Sequence, residues 1–189
     1  MTRMLIVGPA GSGKGTQSKR IAEDLGIVAI STGDIFRANI RGETELGREA
    51  KTYVDAGDLV PDSVTNRMVE DRLSWEDARG GFLLDGYPRN RTQVVALDEM
   101  LGRLGVELDV VLELTADREE LTQRLKRRAE IEGRDDDADE SAIRRRLELF
   151  ESETAPMIAE YESRGLLRRV DGLGEVDEVN ARIMDALKG

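Results

Sequence analysis

Met4-Leu5-Ile6-Val7-Gly8-Pro9-Ala10-Gly11-Ser12-Gly13-Lys14-Gly15-Thr16 is the stretch on which the fold turns. Four apolar residues, a glycine-rich run and a lysine that opens a helical pattern reaching Leu25 read as strand, loop and helix in direct succession. Glycines allow consecutive backbone N–H groups to point inward, the start of the helix adds partial positive charge, and Lys14 can reach outer phosphates. Such a loop holds the phosphates of a nucleotide. One feature departs from the general pattern, which places Ser or Thr directly after the lysine to hold magnesium. Here Gly15 stands there, with Thr16 next.

Outward from this loop, the apolar β-branched runs Ile27–Ile30, Phe82–Leu84, Val110–Leu114 and Leu166–Val170 join Met4–Val7 as five expected strands. Strands apolar on both faces belong to a parallel sheet covered by helices on each side. The intervening segments carry helical periodicity, so an α/β fold with a five-stranded parallel sheet is expected. Arg168 and Arg169 make the last strand the weakest of the set. The unusual loops follow the strands: Gly8–Thr16, Ser31–Arg37, Asp85–Gln93, Thr115–Glu119 and Asp171–Gly174. Ligands of open α/β sheets bind at that carboxyl edge.

Two stretches break the alternation. Residues 31–60 hold two short helical patterns, Asp34–Ile40 and Leu46–Ala56, without a strand between them. Residues 127–138 interrupt a helix with Gly133 and a charged run, which composition alone would also allow as a solvated loop. Both are candidate moving insertions on a single domain of 189 residues.

Composition narrows the chemistry. The chain has no Cys and no His, which excludes Ser–His and Cys–His nucleophilic systems and zinc sites of thiolate or imidazole type. A formal net charge of −11 argues against a nucleic-acid binder. Of 28 basic residues, 23 are Arg, the side chain whose planar fork grips phosphate. No apolar run approaches the roughly 18 residues of a membrane span, and the N-terminus has no signal-peptide pattern. A cytoplasmic protein without a membrane association is expected.

Helical geometry singles out particular charges. Asp85 ends a buried strand, where phosphate-loop enzymes place an acid near the metal. In the expected helix Asp117–Arg128, Leu121 and Leu125 mark the apolar face, Arg128 projects along it and Arg127 points away. In the helix from about Glu140, Ile143, Leu147, Phe150, Met157 and Tyr161 make one stripe. Arg146 lies near its edge, and Arg145 nearly opposite.

The Gly15-Thr16 variant, Ser31-Thr-Gly-Asp-Ile-Phe-Arg37 and Asp85-Gly-Tyr-Pro-Arg89, occurring in that order at strand ends, resemble the adenylate kinase family of nucleoside monophosphate kinases. The resemblance covers Met4 to about Leu187. It implies a three-layer P-loop fold with core 1–30, 61–126 and 139–189, a monophosphate-binding insertion at 31–60 and a short lid at 127–138 of the type without zinc. It also implies a monomer that transfers the terminal phosphoryl group of ATP to AMP with Mg2+. Gly11, Ser12, Gly13, Lys14, Gly15, Thr16, Arg128 and Gly174 then belong to ATP. Thr32, Arg37, Asp58, Leu59, Val60, Gly86, Tyr87, Pro88, Arg89, Gln93, Arg134 and Arg146 belong to AMP. Lys14, Arg37, Arg89, Arg128, Arg134 and Arg146 form the catalytic set, and Thr16 and Asp85 reach the metal mainly through water.

Asn90 is similar to an asparagine that reads the base in uridylate/cytidylate kinases of the same architecture, whereas Thr32 and Gln93 suit adenine. A nucleotide-binding switch without transfer activity is the rival from another class. The chain lacks the Asn-Lys-x-Asp guanine-reading motif, and three inward-facing arginines exceed what binding alone requires.

Overall fold

The computed structural model describes residues 1–133 and 139–188. Its strands are β1 (Arg3–Val7), β2 (Val28–Ser31), β3 (Phe82–Asp85), β4 (Val110–Thr115) and β5 (Leu167–Asp171). The described helices are α1 (Lys14–Leu25), α2 (Thr32–Arg41), α3 (Glu45–Ala56), α4 (Asp62–Leu73), α5 (Arg91–Leu104), α6 (Arg118–Glu132), α7 (Glu140–Leu149), α8 (Ala155–Ser163) and α9 (Val176–Ala186). All five strands lie parallel in the order β2-β3-β1-β4-β5, as their doubly apolar sequences require.

Alternation along β1 distributes the core. Met4 and Ile6 face α1 and α9 with Leu83, Leu112 and Leu114. Leu5 and Val7 face the opposite layer with Leu84, Leu97, Met157 and Tyr161. The chain leaves β1 towards β2 on one side and crosses to β4 on the other, so a switch point opens at the end of β1, where the glycine loop stands. The arginines of β5 are explained by its place at the sheet edge. Arg169 Nε donates to Glu113 at 2.8 Å and its guanidinium also pairs with Glu162.

Residues 31–60 share a small apolar cluster with α4. Phe36, Ala50 and Val60 pack with Val64 of α4, bordered by Leu46, Val54 and Met68. Helices α2 and α3 approach closely at Gly47, where an added methyl group would collide with the Asn39 carbonyl. Gly47→Ala must therefore push α3 off α2. We expect a loss of about 1–3 kcal/mol, read as a fall of several degrees in thermal midpoint at roughly 2–4 °C per kcal/mol for a chain of this size. An unchanged midpoint would show that the two helices can part without penalty.

The longer helical pattern expected from Glu140 onward is divided. One wide turn over Phe150–Thr154 separates α7 from α8, and the Ala155 N–H bonds to the Phe150 carbonyl. Pro156 has no N–H to give to Ser152, so an ordinary turn would lose a bond there in any case. The wide turn aims the buried Thr154 hydroxyl at the Arg89 carbonyl, to which it donates at 2.8 Å. Helix α6 also outruns its expected end at Arg128 and continues to Glu132, with Gly133 in a left-handed conformation closing it. Residues 127–132 of the expected lid are thus helical, while Arg134 and the rest of the acidic run lie outside the described residues.

Candidate active site

The sheet's carboxyl edge opens into a cleft of about 1020 Å³, at the upper end of the ~300–1,000 Å³ usual for small-molecule sites. One end is the glycine loop. Gly13 precedes α1 with φ 95° and supplies no side-chain cap, so the first N–H groups of α1 are left for whatever enters. The Ser12 hydroxyl is buried beside them with no protein partner. Gly11 takes φ 86°, and a side chain there would meet Leu121 and Leu125 of α6. That close approach seats α6 on the loop through Leu121, Leu125, Ile143, Leu147 and Ala10.

Lys14 Nζ donates to the Pro9 carbonyl at 2.8 Å. Burial pushes its pKa down to about 8, against the pull of Asp85 and with the help of Arg89 and Arg128. Asp85 is itself raised by burial and drawn back by Lys14 and Arg89. These two opposite charges stand together under the loop. Thr16 is exposed at its rim.

The other end is built from the loops after β2 and β3. Thr32, buried at the start of α2, donates to the Gly86 carbonyl at 3.0 Å and ties the two loops together. Arg37 pairs with Asp34 at 2.8 Å. Arg89 is fixed on three sides: Nε donates to the Gly86 carbonyl at 2.8 Å, its N–H to Gln93 Oε1 at 2.7 Å, and its carbonyl accepts from Thr154. Burial lowers the Arg89 pKa, Asp85 opposes this, and Arg146 and Arg37 lower it further. Three guanidinium groups thus lie close enough to act on one another, a grouping that suits an anionic ligand.

Nearly all the residues expected from the sequence face this one cleft. The loop residues 11–16, Thr32, Arg37, Asp58, Leu59, Val60, Asp85, Gly86, Pro88, Arg89, Gln93, Arg128, Arg146 and Gly174 line it. Tyr87 does not, because its ring sits in the core and its hydroxyl donates to Asn66 at 2.8 Å. Arg134 lies outside the described residues. The Asp58 carboxylate accepts from Arg145 Nε at 2.6 Å, which gives both a partner that periodicity alone did not suggest.

Two arginines depart from expectation. Arg127 was expected to point away, yet it borders the cleft from an exposed position. Arg124 was not anticipated. It lines the donor-loop end, bonded to Glu120 at 2.8 Å and to the Gly172 carbonyl at 3.1 Å. It lies one turn before Arg128 on the same face of α6, so the helical spacing that marks Arg128 marks it as well.

Asn90 has a local explanation. Its side chain caps α5 by accepting the Gln93 N–H at 2.9 Å and donates to Asp62 at 3.0 Å.

A parallel α/β sheet with a phosphate loop at its switch point, facing a second cationic end across one cleft, defines a nucleotide-phosphate-binding protein of the P-loop class. Comparison with known proteins narrows this. The adenylate kinase family model matches residues 6–166. The chain is 63% identical over 188 residues to an adenylate kinase of Kocuria rhizophila, with all of both chains covered. It is 62% identical over 189 residues to that of Renibacterium salmoninarum, covering 100% of this chain and 97% of the relative. With that of Thermobifida fusca it shares 56% identity over 186 residues, 98% of each. The chain belongs to the adenylate kinase family, and with it to the phosphotransferases.

Proposed function

We infer that the protein transfers the terminal phosphoryl group of ATP to AMP, reversibly and with Mg2+, giving two ADP. The observation that carries this reading is the single cleft in which an uncapped helix start with Lys14 faces the crowded guanidinium groups of Arg37, Arg89 and Arg146. The names and full-length similarity of the relatives supply the identity of the two nucleotides.

Loop residues 11–16, with Arg128 and Gly174, take ATP. Thr32, Arg37, residues 58–60, Gly86, Pro88, Arg89 and Gln93 take AMP. Arg146 stands between donor and acceptor, and Arg134 would join it when the lid closes. Transfer asks little covalent chemistry of the protein; it needs in-line placement and positive charge where negative charge spreads. The acceptor phosphate is already anionic, so no general base is required, in keeping with a chain that has no His.

Mg2+ usually keeps several waters and takes one or two carboxylates together with phosphate oxygens. Asp85 and Thr16 at the loop suit that manner of binding, and no cluster of three or more potential ligands occurs among the described residues. Asp85 and Thr16 would hold the cation there, mainly through water, and it would supply positive charge to the donor phosphates.

Water must be excluded or ATP would be hydrolysed. Residues 31–60 are assigned as the insertion that closes over AMP, and 127–138 as the lid over ATP. Phe36, Ala50 and Val60 pack the first into one unit, which joins the core through Val64 of α4. Action as a monomer in the cytoplasm completes the reading; none of the described helices is long and apolar enough to cross a membrane.

A coupled assay with ATP and AMP tests the activity: ADP should form at two per AMP consumed, without release of inorganic phosphate. With AMP, CMP and UMP offered at equal concentration, AMP should be consumed first. Phosphate release independent of AMP would instead indicate an ATPase or switch.

Lys14 adds a pH signature. The free protein holds its ammonium at a pKa of about 8, and anionic phosphates favour the charged form and raise it. Near pH 8.5, ATP binding should therefore take up protons, and affinity should fall as pH rises from 7 to 9. Calorimetry in buffers of different ionisation enthalpy measures the uptake. Proton release on binding would contradict the placement of Lys14 on the phosphates.

A further inference from the structure

We propose that Asp62 is a positioning residue for base selection, holding the Gln93 amide in one of its two orientations. This rests on the assignment of Gln93 to the base of the monophosphate.

Gln93 is buried on the cleft wall. Its Oε1 accepts the backbone N–H of Arg89 at 2.7 Å, and its Nε2 donates to Asp62 Oδ1 at 2.8 Å. The same Oδ1 accepts from Asn90 Nδ2 at 3.0 Å, and Asn90 Oδ1 caps the Gln93 backbone. Asp62 is the first residue of α4, where the helix end favours a carboxylate.

A primary amide rotated by half a turn fills nearly the same volume, so packing alone does not choose its orientation. Here the flip would set Oε1 against a carboxylate and the NH2 group against an N–H donor. Both contacts would be repulsive. One lone pair on Oε1 and one hydrogen on Nε2 remain for a ligand.

That remaining pair, in fixed order, suits adenine, which offers an amino donor beside a ring-nitrogen acceptor. Hypoxanthine carries a carbonyl in place of the amino group. It cannot donate to Oε1, so a locked amide rejects it, whereas a rotating amide could turn to meet it. A site built to bond one polar group discriminates strongly against the analogue that lacks it.

The test is the ratio of kcat/KM for AMP to that for IMP in the full chain. Asp62→Ala should lower the ratio by about tenfold or more, mainly through a higher KM for AMP with kcat kept within about threefold. Asp62→Asn keeps the acceptor Oδ1 and should retain the ratio within about threefold. Thermal midpoints of both variants report on folding. If the alanine variant does not fold, Asp62→Ser retains a residue suited to a helix start but is too short to reach Nε2, and should show the same loss. An unchanged ratio in the alanine or serine variant overturns the proposal. An equal loss in the alanine and asparagine variants also overturns it, since that marks the charge on α4, and not the acceptor, as what matters. A wild-type protein indifferent to AMP and IMP would instead sink the assignment of Gln93 to the base.

Discussion

Arg89→Ala is expected to lower turnover by roughly 10²–10⁵-fold, with arginine-finger effects as the guide to scale. Three observations set that size. Arg89 is held rigidly by Gly86, Gln93 and Thr154, so its charge needs no rearrangement when phosphate arrives. It sits close enough to Arg37 and Arg146 for their charges to act on it, so an entering phosphate meets more than one guanidinium. Removing it also leaves Asp85 with one fewer counter-charge at the site of transfer. Arg89→Lys should recover little of the loss. Nε of Arg89 is spent on the Gly86 carbonyl, leaving the two terminal nitrogens as the fork for phosphate, and lysine offers one nitrogen for both tasks. Steady-state kinetics with AMP varied would measure both; a loss of twofold or less would remove Arg89 from the catalytic set.

Lys14→Met is expected to lower kcat by about 10²–10³-fold, the scale for losing one preorganised donor to a developing charge. Methionine keeps much of the length and volume of the stem, so the loop's shape is largely preserved and the effect is chiefly electrostatic. Asp85 loses the largest of the charges that hold its carboxyl down, and burial then drives its pKa higher still. The variant should therefore also bind Mg2+ and ATP more weakly at low pH than at high pH, the reverse of the wild-type trend. The two pH profiles, taken side by side, separate loss of the ammonium from general damage to the loop.

The sheet was legible because its strands are buried on both faces and so written as uninterrupted apolar runs, each followed by an unusual loop. Most of the cleft was legible for the same reason: parallel strands deliver their carboxyl ends to one edge. Arg127 shows where helical periodicity stops short. The cleft meets α6 on the flank beside its apolar face, not at its centre, so a residue well off that face still reaches the rim. Asp58 and Arg145 meet across 87 residues of chain, and nothing local marks either as a partner of the other. The wide turn at Phe150–Thr154 had a local signal in Pro156, but its use, aiming Thr154 at Arg89, depends on how α8 docks on the core. Tyr87 was drawn into the site by its neighbours in Gly86–Arg89, while its own side chain turns to the opposite side of the loop and packs in the core.

A crystal structure with two adenosines joined by a chain of five phosphates, which fills donor and acceptor places at once, tests the central claim most directly. One adenosine should lie near Gly174 and Arg124 and the other against Thr32 and Gln93. The phosphates should run from residues 11–16 past Arg146 to Arg37 and Arg89. A ligand bound by one end only, or with its phosphates away from those arginines, would contradict the account.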